Sequence, residues 1–265
     1  MPDFADNGPP GERAARRRAI LRRTWGGVVF SDGRKTRQGC ESPPLCAACA
    51  ALLAPRLAGY CPACGQLFPN ADLPPALCAD CLRQPPPWSG FYFYGAYEHL
   101  TRELFKAFKF HGDLPSGRVL ARLLSRRVAP LLATDLARAG DSGGAALLVP
   151  VPVHKQRLQE RGFNQSLLLA KPLAGALRLP LAPQAWGRTR LGPPQSSLDR
   201  EARLAGPKWA FAAHDLVNGR WVVLLDDVMT TGATLREVAR ILLARGAVGV
   251  SVAVLAHTPF GSDAF

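Results

Sequence analysis

The stretch Val-Val-Leu-Leu-Asp-Asp-Val-Met-Thr-Thr-Gly-Ala-Thr-Leu, residues 222–235, constrains the fold more than any other part of this chain. Its four leading apolar residues suit a central strand of a parallel sheet, which is covered on both faces. Asp226 and Asp227 follow at once. Ionised carboxylates are costly inside a sheet, so the pattern predicts that the strand stops at the acids and opens into a ligand site. From Thr234 the period changes, with Leu235, Val238, Ala239 and Leu242 at helical spacing, Gly246 as a stop, and residues 248–255 as the next buried strand. Strand, loop, helix and strand in that order make a unit of a parallel α/β fold.

Thr230, Thr231, Gly232, Ala233 and Thr234 lie just before that helix. Backbone N–H groups there can converge on an anion, aided by hydroxyl donors and the helix dipole, so a phosphate fits. Asp226 and Asp227 can accept hydrogen bonds from vicinal hydroxyls, and a ribose 5-phosphate carries both groups at about that separation. The stretch resembles the phosphoribosyl-pyrophosphate (PRPP) signature of the type I phosphoribosyltransferases. That resemblance implies that the two acids hold the ribose hydroxyls and the threonine–glycine loop holds the 5-phosphate. No G-x-x-x-x-G-K-[ST] loop occurs and no G-x-G-x-x-G follows a strand, which removes the main support for nucleoside-triphosphatase and dinucleotide-binding readings.

A second constellation lies upstream. Ala146, Leu147, Leu148 and Val149 read as a buried strand, and Pro150-Val151-Pro152 ends its regular pairing before His154, Lys155, Arg157, Arg161, Gly162, Phe163, Asn164 and Gln165. Cations and amides at the end of a parallel strand are placed to bind a diphosphate. A helix follows, and Pro172 inside it predicts a kink or an early break. Residues 188–203 are polar, with few apolar anchors, and hold the chain position of the loop that closes over PRPP in phosphoribosyltransferases. Residues 154–208 carry ten Lys+Arg against three Asp+Glu, a balance that suits diphosphate and also single-stranded DNA.

Six of the seven cysteines fall into C-x-x-C pairs, Cys46/Cys49, Cys61/Cys64 and Cys78/Cys81, with Cys40 left over. A C-x-x-C turn presents two thiolates to one tetrahedral ion, and two such knuckles joined by a short hairpin make a zinc ribbon. Cys61, Cys64, Cys78 and Cys81 are the expected structural zinc ligands, with Gly65 taking the positive φ that closes the first turn. Cys40, Cys46 and Cys49 lack an evident fourth ligand for a second site. So small a module buries little core, and its metal is expected to supply its folding energy.

Pro85-Pro86-Pro87 reads as a linker, and the aromatic run from Phe91 to Tyr97 as a strand that opens the second domain. Leu100, Leu104, Phe105 and Phe108 trace one face of a helix. Lys109 and His111 sit near its end, where they reach a substrate or, as is commoner, cap the C-terminus. Val119, Leu120, Leu123, Leu124 and Val128 trace another helix, which a loop over residues 139–144 separates from the next strand.

The cysteine knuckles, then Phe108-Lys109-Phe110-His111-Gly112, then VPVPVHKQRLQERGFNQS and finally LLDDVMTTGATL together resemble the ComF family, competence proteins that join a zinc ribbon to a phosphoribosyltransferase-like domain. That family usually has four C-x-x-C pairs, and here the first is absent. The expectation is an α/β protein, a parallel sheet flanked by helices and preceded by a cysteine-rich zinc-ribbon module. Its parts are a basic, flexible segment over 1–39, the zinc module and proline linker over 40–87, and the phosphoribosyltransferase-like domain over 88–265. PRPP with Mg²⁺ is the expected ligand, with Lys155, Arg157 and Arg161 on the diphosphate and a nitrogenous acceptor. No residue stands out as a base for that acceptor. The alternative is a non-catalytic accessory that handles single-stranded DNA in the same basic cleft during uptake, among competence proteins as partners. A net charge of +13 favours anionic partners in either case. No run of eighteen apolar residues occurs, and the arginine-rich start does not read as a secretory leader, so a cytoplasmic location is expected.

Overall fold

The computed structural model describes residues 47–141, 145–153, 155–185 and 214–259. The basic N-terminal segment, Cys40, Cys46, His154, Trp186 and the polar stretch 188–203 lie outside the described residues. The chain divides into two compact units, Met1–Ala54 and Pro55–Phe265. Helix α1 (Ala47–Leu52) belongs to the first, where Leu53 N–H donates to the Cys49 carbonyl at 3.0 Å.

In the second unit, a short helix α2 (Ala79–Arg83) precedes strand β1 (Gly90–Ala96). Helices α3 (His99–His111) and α4 (Leu114–Asp141) lead to β2 (Ala146–Pro150). Helices α5 (Lys155–Arg161) and α6 (Gln165–Leu177) come next, then a 3-10 turn (Pro183–Ala185) and the single turn α7 (His214–Val217). The unit ends with β3 (Trp221–Met229), α8 (Ala233–Ala244) and β4 (Gly249–His257). The four strands are all parallel, in the order β1-β4-β3-β2. Their C-terminal ends therefore share one edge, the edge at which open α/β sheets bind ligands.

The two faces differ. On one, α4 packs against β1, β2, β4 and α6, and the buried Asp135 accepts a hydrogen bond from Ser251 Oγ at 3.0 Å. On the other, Val222 and Leu224 of β3 and Val250, Val252 and Val254 of β4 share a core with Leu235, Val238, Ala239 and Leu242 of α8. Cys61, Cys64, Cys78, Cys81, Trp88 and Phe91 belong to that same core. Burial of these large side chains at roughly 1.5 to 3 kcal/mol each makes the knuckles part of the sheet's hydrophobic assembly. They lie in the compact unit of the sheet, and the boundary by compactness falls at Ala54/Pro55, upstream of the proline run.

Three local expectations need correction. β3 does not stop before the acids: pairing with β4 continues through Asp226↔Val254 to Met229↔His257. Polar side chains from the flanking helices meet the carboxylates, so the backbone ladder continues past them. Pro172 neither breaks nor ends α6, which runs as one helix to Leu177. Proline lacks only one donor, and burial of Leu169, Ala170, Leu173 and Ala174 offsets its loss. α4 runs on to Asp141, through the first three residues of the expected loop, with Pro130 inside it.

Gly65 joins the knuckles to the sheet. It has φ +75°, and a β-carbon there would stand 2.2 Å from Phe91 Cε1. Gly65→Ala should cost roughly 2 to 4 kcal/mol, combining left-handed backbone strain with an overpacked core. Urea unfolding of the two proteins measures it, and an unchanged midpoint would contradict this packing.

Candidate functional site at the sheet edge

The edge is built around the end of β3. Asp226 and Asp227 are both half-buried there, and each carboxylate turns back on its own strand: Asp226 Oδ1 accepts from Asp227 N–H at 2.8 Å, and Asp227 Oδ1 from Val228 N–H at 2.6 Å. Flanking helices complete the pair. Ser166 Oγ, at the start of α6, donates to Asp226 Oδ1 at 3.0 Å. Lys109 Nζ, from the last turn of α3, lies 3.3 Å from Asp227 Oδ2, with the two side chains 8% and 15% exposed. The same ammonium stands 5.1 Å from the Phe105 ring centroid. A pair this dry is costly to break from one side, because the surviving charge loses its compensation.

The acids are electrostatically distinct. Burial, and then the neighbouring Asp227 charge, push the Asp226 carboxyl up to about 7, against the lowering influence of Asp227 N–H, Ser166 and Lys109. Burial also raises the nearby Tyr97 hydroxyl; Arg102 opposes the rise and Asp227 adds to it. Two adjacent carboxylates with one close ammonium thus leave a proton poised on Asp226 near neutrality. Such a pair presents oxygen acceptors to neutral hydroxyl donors.

The loop after β3 is short. Thr230 and Thr231 are exposed, and Gly232 takes φ +73° as the N-cap of α8 without a side-chain cap. A β-carbon at Gly232 would meet Met229 Cε at 2.3 Å. The helix starts at Ala233, so Ala233 and Thr234 form its first turn, both exposed. The Ala233 N–H is 3.4 Å from Thr231 Oγ1. First-turn N–H groups of a twelve-residue helix suit an anion, and a loop of three residues, 230–232, separates them from β3.

After β2, Asn164 caps α6: its side-chain oxygen accepts from Leu167 N–H at 3.2 Å, and its amide nitrogen donates to the Val151 carbonyl at 3.3 Å. Phe163 packs on the buried Phe108 with centroids 5.3 Å apart. Both are structural pieces that aim α6 at the acids. Lys155 and Arg157 belong to α5, but their side chains lie outside the described residues. Arg161 sets its guanidinium 5.7 Å from the Phe110 ring centroid.

Lys109 is the site residue that sequence reasoning underweighted. Helix capping falls instead to Gly112, at φ +64°, while Lys109 is 7% exposed and faces inward. The signal was present, since Lys109 follows Phe105 by four residues and so shares its buried face. Ser166 had none, because only the tertiary packing of α6 on β3 brings it to Asp226.

Away from the edge, Cys61, Cys64, Cys78 and Cys81 place their four sulfurs within 4.8 Å of one another, all buried. Cys61 N–H donates to Gln66 O at 2.9 Å and Gly65 N–H to Cys61 O at 2.7 Å, which closes the first knuckle. Cys64 and Cys78 sulfurs are 3.8 Å apart. A tetrahedral ion with metal–sulfur bonds of about 2.3 Å has sulfur–sulfur edges of about 3.8 Å, so the residues fit a metal ion. Burial raises the Cys64 thiol strongly, and buried thiols of this kind become ligands only when a cation replaces their protons. Cys49, in the other compact unit, is not part of this group. Among the described residues, no helix is long and apolar enough to cross a membrane.

Comparison with known proteins agrees with this architecture. The family model of the phosphoribosyl transferase domain matches residues 165–262. The chain is 35% identical over 198 residues to the DNA utilization protein YhgH of Escherichia coli (strain K12), covering 75% of this chain and 84% of that protein. It is 31% identical over 199 residues to competence protein F of Haemophilus influenzae, covering 74% and 85%. It is 30% identical over 215 residues to competence protein ComFC of Bacillus subtilis, covering 76% and 79%.

The raised Asp226 carboxyl has a signed consequence for stability. The folded protein holds this proton more tightly than the unfolded chain, whose Asp titrates near about 3.9. The stabilisation is therefore complete below that value and is lost as pH rises through about 7. Thermal melting from pH 4 to 8 should show this decline in the unliganded protein, and Asp226→Asn should flatten it. An equal slope in the variant would remove the assignment.

Proposed function

The chain belongs to the family of competence protein F, ComFC and YhgH, and from that premise we propose that it is a phosphoribosyltransferase-like protein that binds PRPP at the sheet edge and serves DNA uptake. One observation carries the reading. Two carboxylates at the end of β3 stand one short loop before the N-terminal turn of α8, which supports a site where hydroxyl acceptors and anion-binding N–H groups lie on one sheet edge. Asp226 and Asp227 would accept from the ribose hydroxyls, Lys109 and Ser166 would hold the acids in place, and residues 230–234 would bind the 5-phosphate. Lys155, Arg157 and Arg161 would take the diphosphate, which brings Mg²⁺ with it. The protein's role in transfer is then electrostatic: the C1–oxygen bond breaks, the electron pair leaves with diphosphate, and the cations stabilise that group while a nitrogen of the acceptor bonds to C1.

Zinc is the proposed ion of the four cysteines. A buried all-thiolate set with tetrahedral sulfur spacing favours it, and such closed sites are structural. The chain's own part is to hold the knuckles against β1 through Gly65 and Phe91. A second reading, non-catalytic handling of single-stranded DNA in the same cleft, draws support from the relatives' names and the +13 charge.

PRPP with Mg²⁺ should raise the melting temperature of the purified protein by mass action. Asp226→Asn combined with Asp227→Asn should abolish the shift, and an undiminished shift would remove the ribose assignment. The metal is tested separately. Elemental analysis should find close to one zinc per chain, and Cys64→Ser should lose it with reduced stability; full retention would move the site to other cysteines.

A further inference from the structure

Phe110 departs from the pattern of its helix. Phe105 and Phe108 are completely buried, whereas Phe110, in the last turn of α3, is 51% exposed. It is the only exposed Phe, Tyr or Trp ring among the described residues. Two cations attend it, with the Arg161 guanidinium 5.7 Å from its centroid and Lys109 Nζ 6.0 Å away. Lys109 Nζ is also 3.3 Å from Asp227 Oδ2. The ring centroid therefore lies no further from that oxygen than those two distances laid end to end. Leaving half of a phenyl ring in water forgoes much of its burial energy.

We propose that Phe110 is the platform on which a planar nitrogenous base stacks, the acceptor ring of the transfer. This rests on the ribose-phosphate reading above. A ribose whose hydroxyls reach Asp226 and Asp227 has C1 bonded to the carbon that bears the 2-hydroxyl. Whatever ring is joined to C1 then lies within a few ångströms of the acids, and the half-exposed Phe110 is the aromatic side chain within reach of it. Arg161 already lays one planar, delocalised group over that ring. Stacking recognises any heteroaromatic face, whether of a free base or of a base in a strand, and the acid pair beside it requires a ribose.

Calorimetry with ribose 5-phosphate, AMP and UMP on the full chain isolates the contribution of the base, because the sugar and phosphate are common to all three. Base–aromatic stacking of about 1 to 3 kcal/mol corresponds to roughly 5- to 150-fold, so the monophosphates should bind at least fivefold tighter than ribose 5-phosphate. Phe110→Ala should bring the ratio to within about twofold while leaving ribose 5-phosphate affinity and melting temperature unchanged, and Phe110→Trp should preserve it. A ratio near one in the unmodified protein, or one that survives Phe110→Ala, overturns the platform but leaves the ribose-phosphate reading standing. Absence of ribose 5-phosphate binding overturns both. A twelve-nucleotide thymidine strand separates the remaining source: if Phe110→Ala weakens the strand while the monophosphate ratio stays intact, the ring grips nucleic acid and the acceptor assignment is wrong.

Discussion

Two carboxylates at the buried end of a central strand, with one ammonium in contact, set the terms for the whole sheet edge. Asp226 and Asp227 are adjacent in sequence, and α3 and α6 bring Lys109 and Ser166 to them. Each supporting side chain comes from a different helix, so the acids are compensated only when those helices pack correctly. That makes the charge arrangement a product of the fold and gives the edge its poised proton on Asp226. The devices around it follow. Gly112 ends α3 just after Lys109, and Asn164 ties the start of α6 to Val151 at the end of β2.

The cysteine cluster stands to the opposite face as Lys109 and Ser166 stand to the edge. It shares a core with α8, the helix whose first turn carries Ala233 and Thr234. Trp88 links the parts directly: its indole N–H donates to Ala63 O inside the first knuckle at 2.7 Å, and the Arg236 guanidinium stacks 5.5 Å from its ring. Arg236 lies in the first turn of α8. The knuckles, β1 and α8 therefore form one packed assembly, and an ion that fits the cysteines bears on the scaffold of the loop after β3. A metal module that merely decorated the N-terminus would not share buried side chains with the strand that carries the acids.

Much of this was legible from residue order alone. The strand–acid–loop–helix–strand unit, its α/β class, the four cysteines that converge and the positive φ at Gly65 all follow from local pattern, because period, turn chemistry and ligand spacing are properties of neighbouring residues. Where local rules met tertiary packing they failed in understandable ways. A strand was expected to end at its acids, yet the β4 ladder carries it past them. Proline was expected to kink or break α6, and no break occurs, because the buried face holds that helix together as far as Leu177.

The sequence by itself determined the kinds of group at the edge: two acids, a threonine–glycine loop, a cluster of cations and an aromatic-rich helix end. Tertiary structure alone decided which of them meet. It turned Lys109 inward onto Asp227, brought Ser166 across sixty positions to Asp226, and left Phe110 outside while Phe108 went into the core. The physical reason is that a side chain's direction depends on which face its helix buries. That choice is made by the sum of many apolar contacts across the sheet, and no short motif contains it.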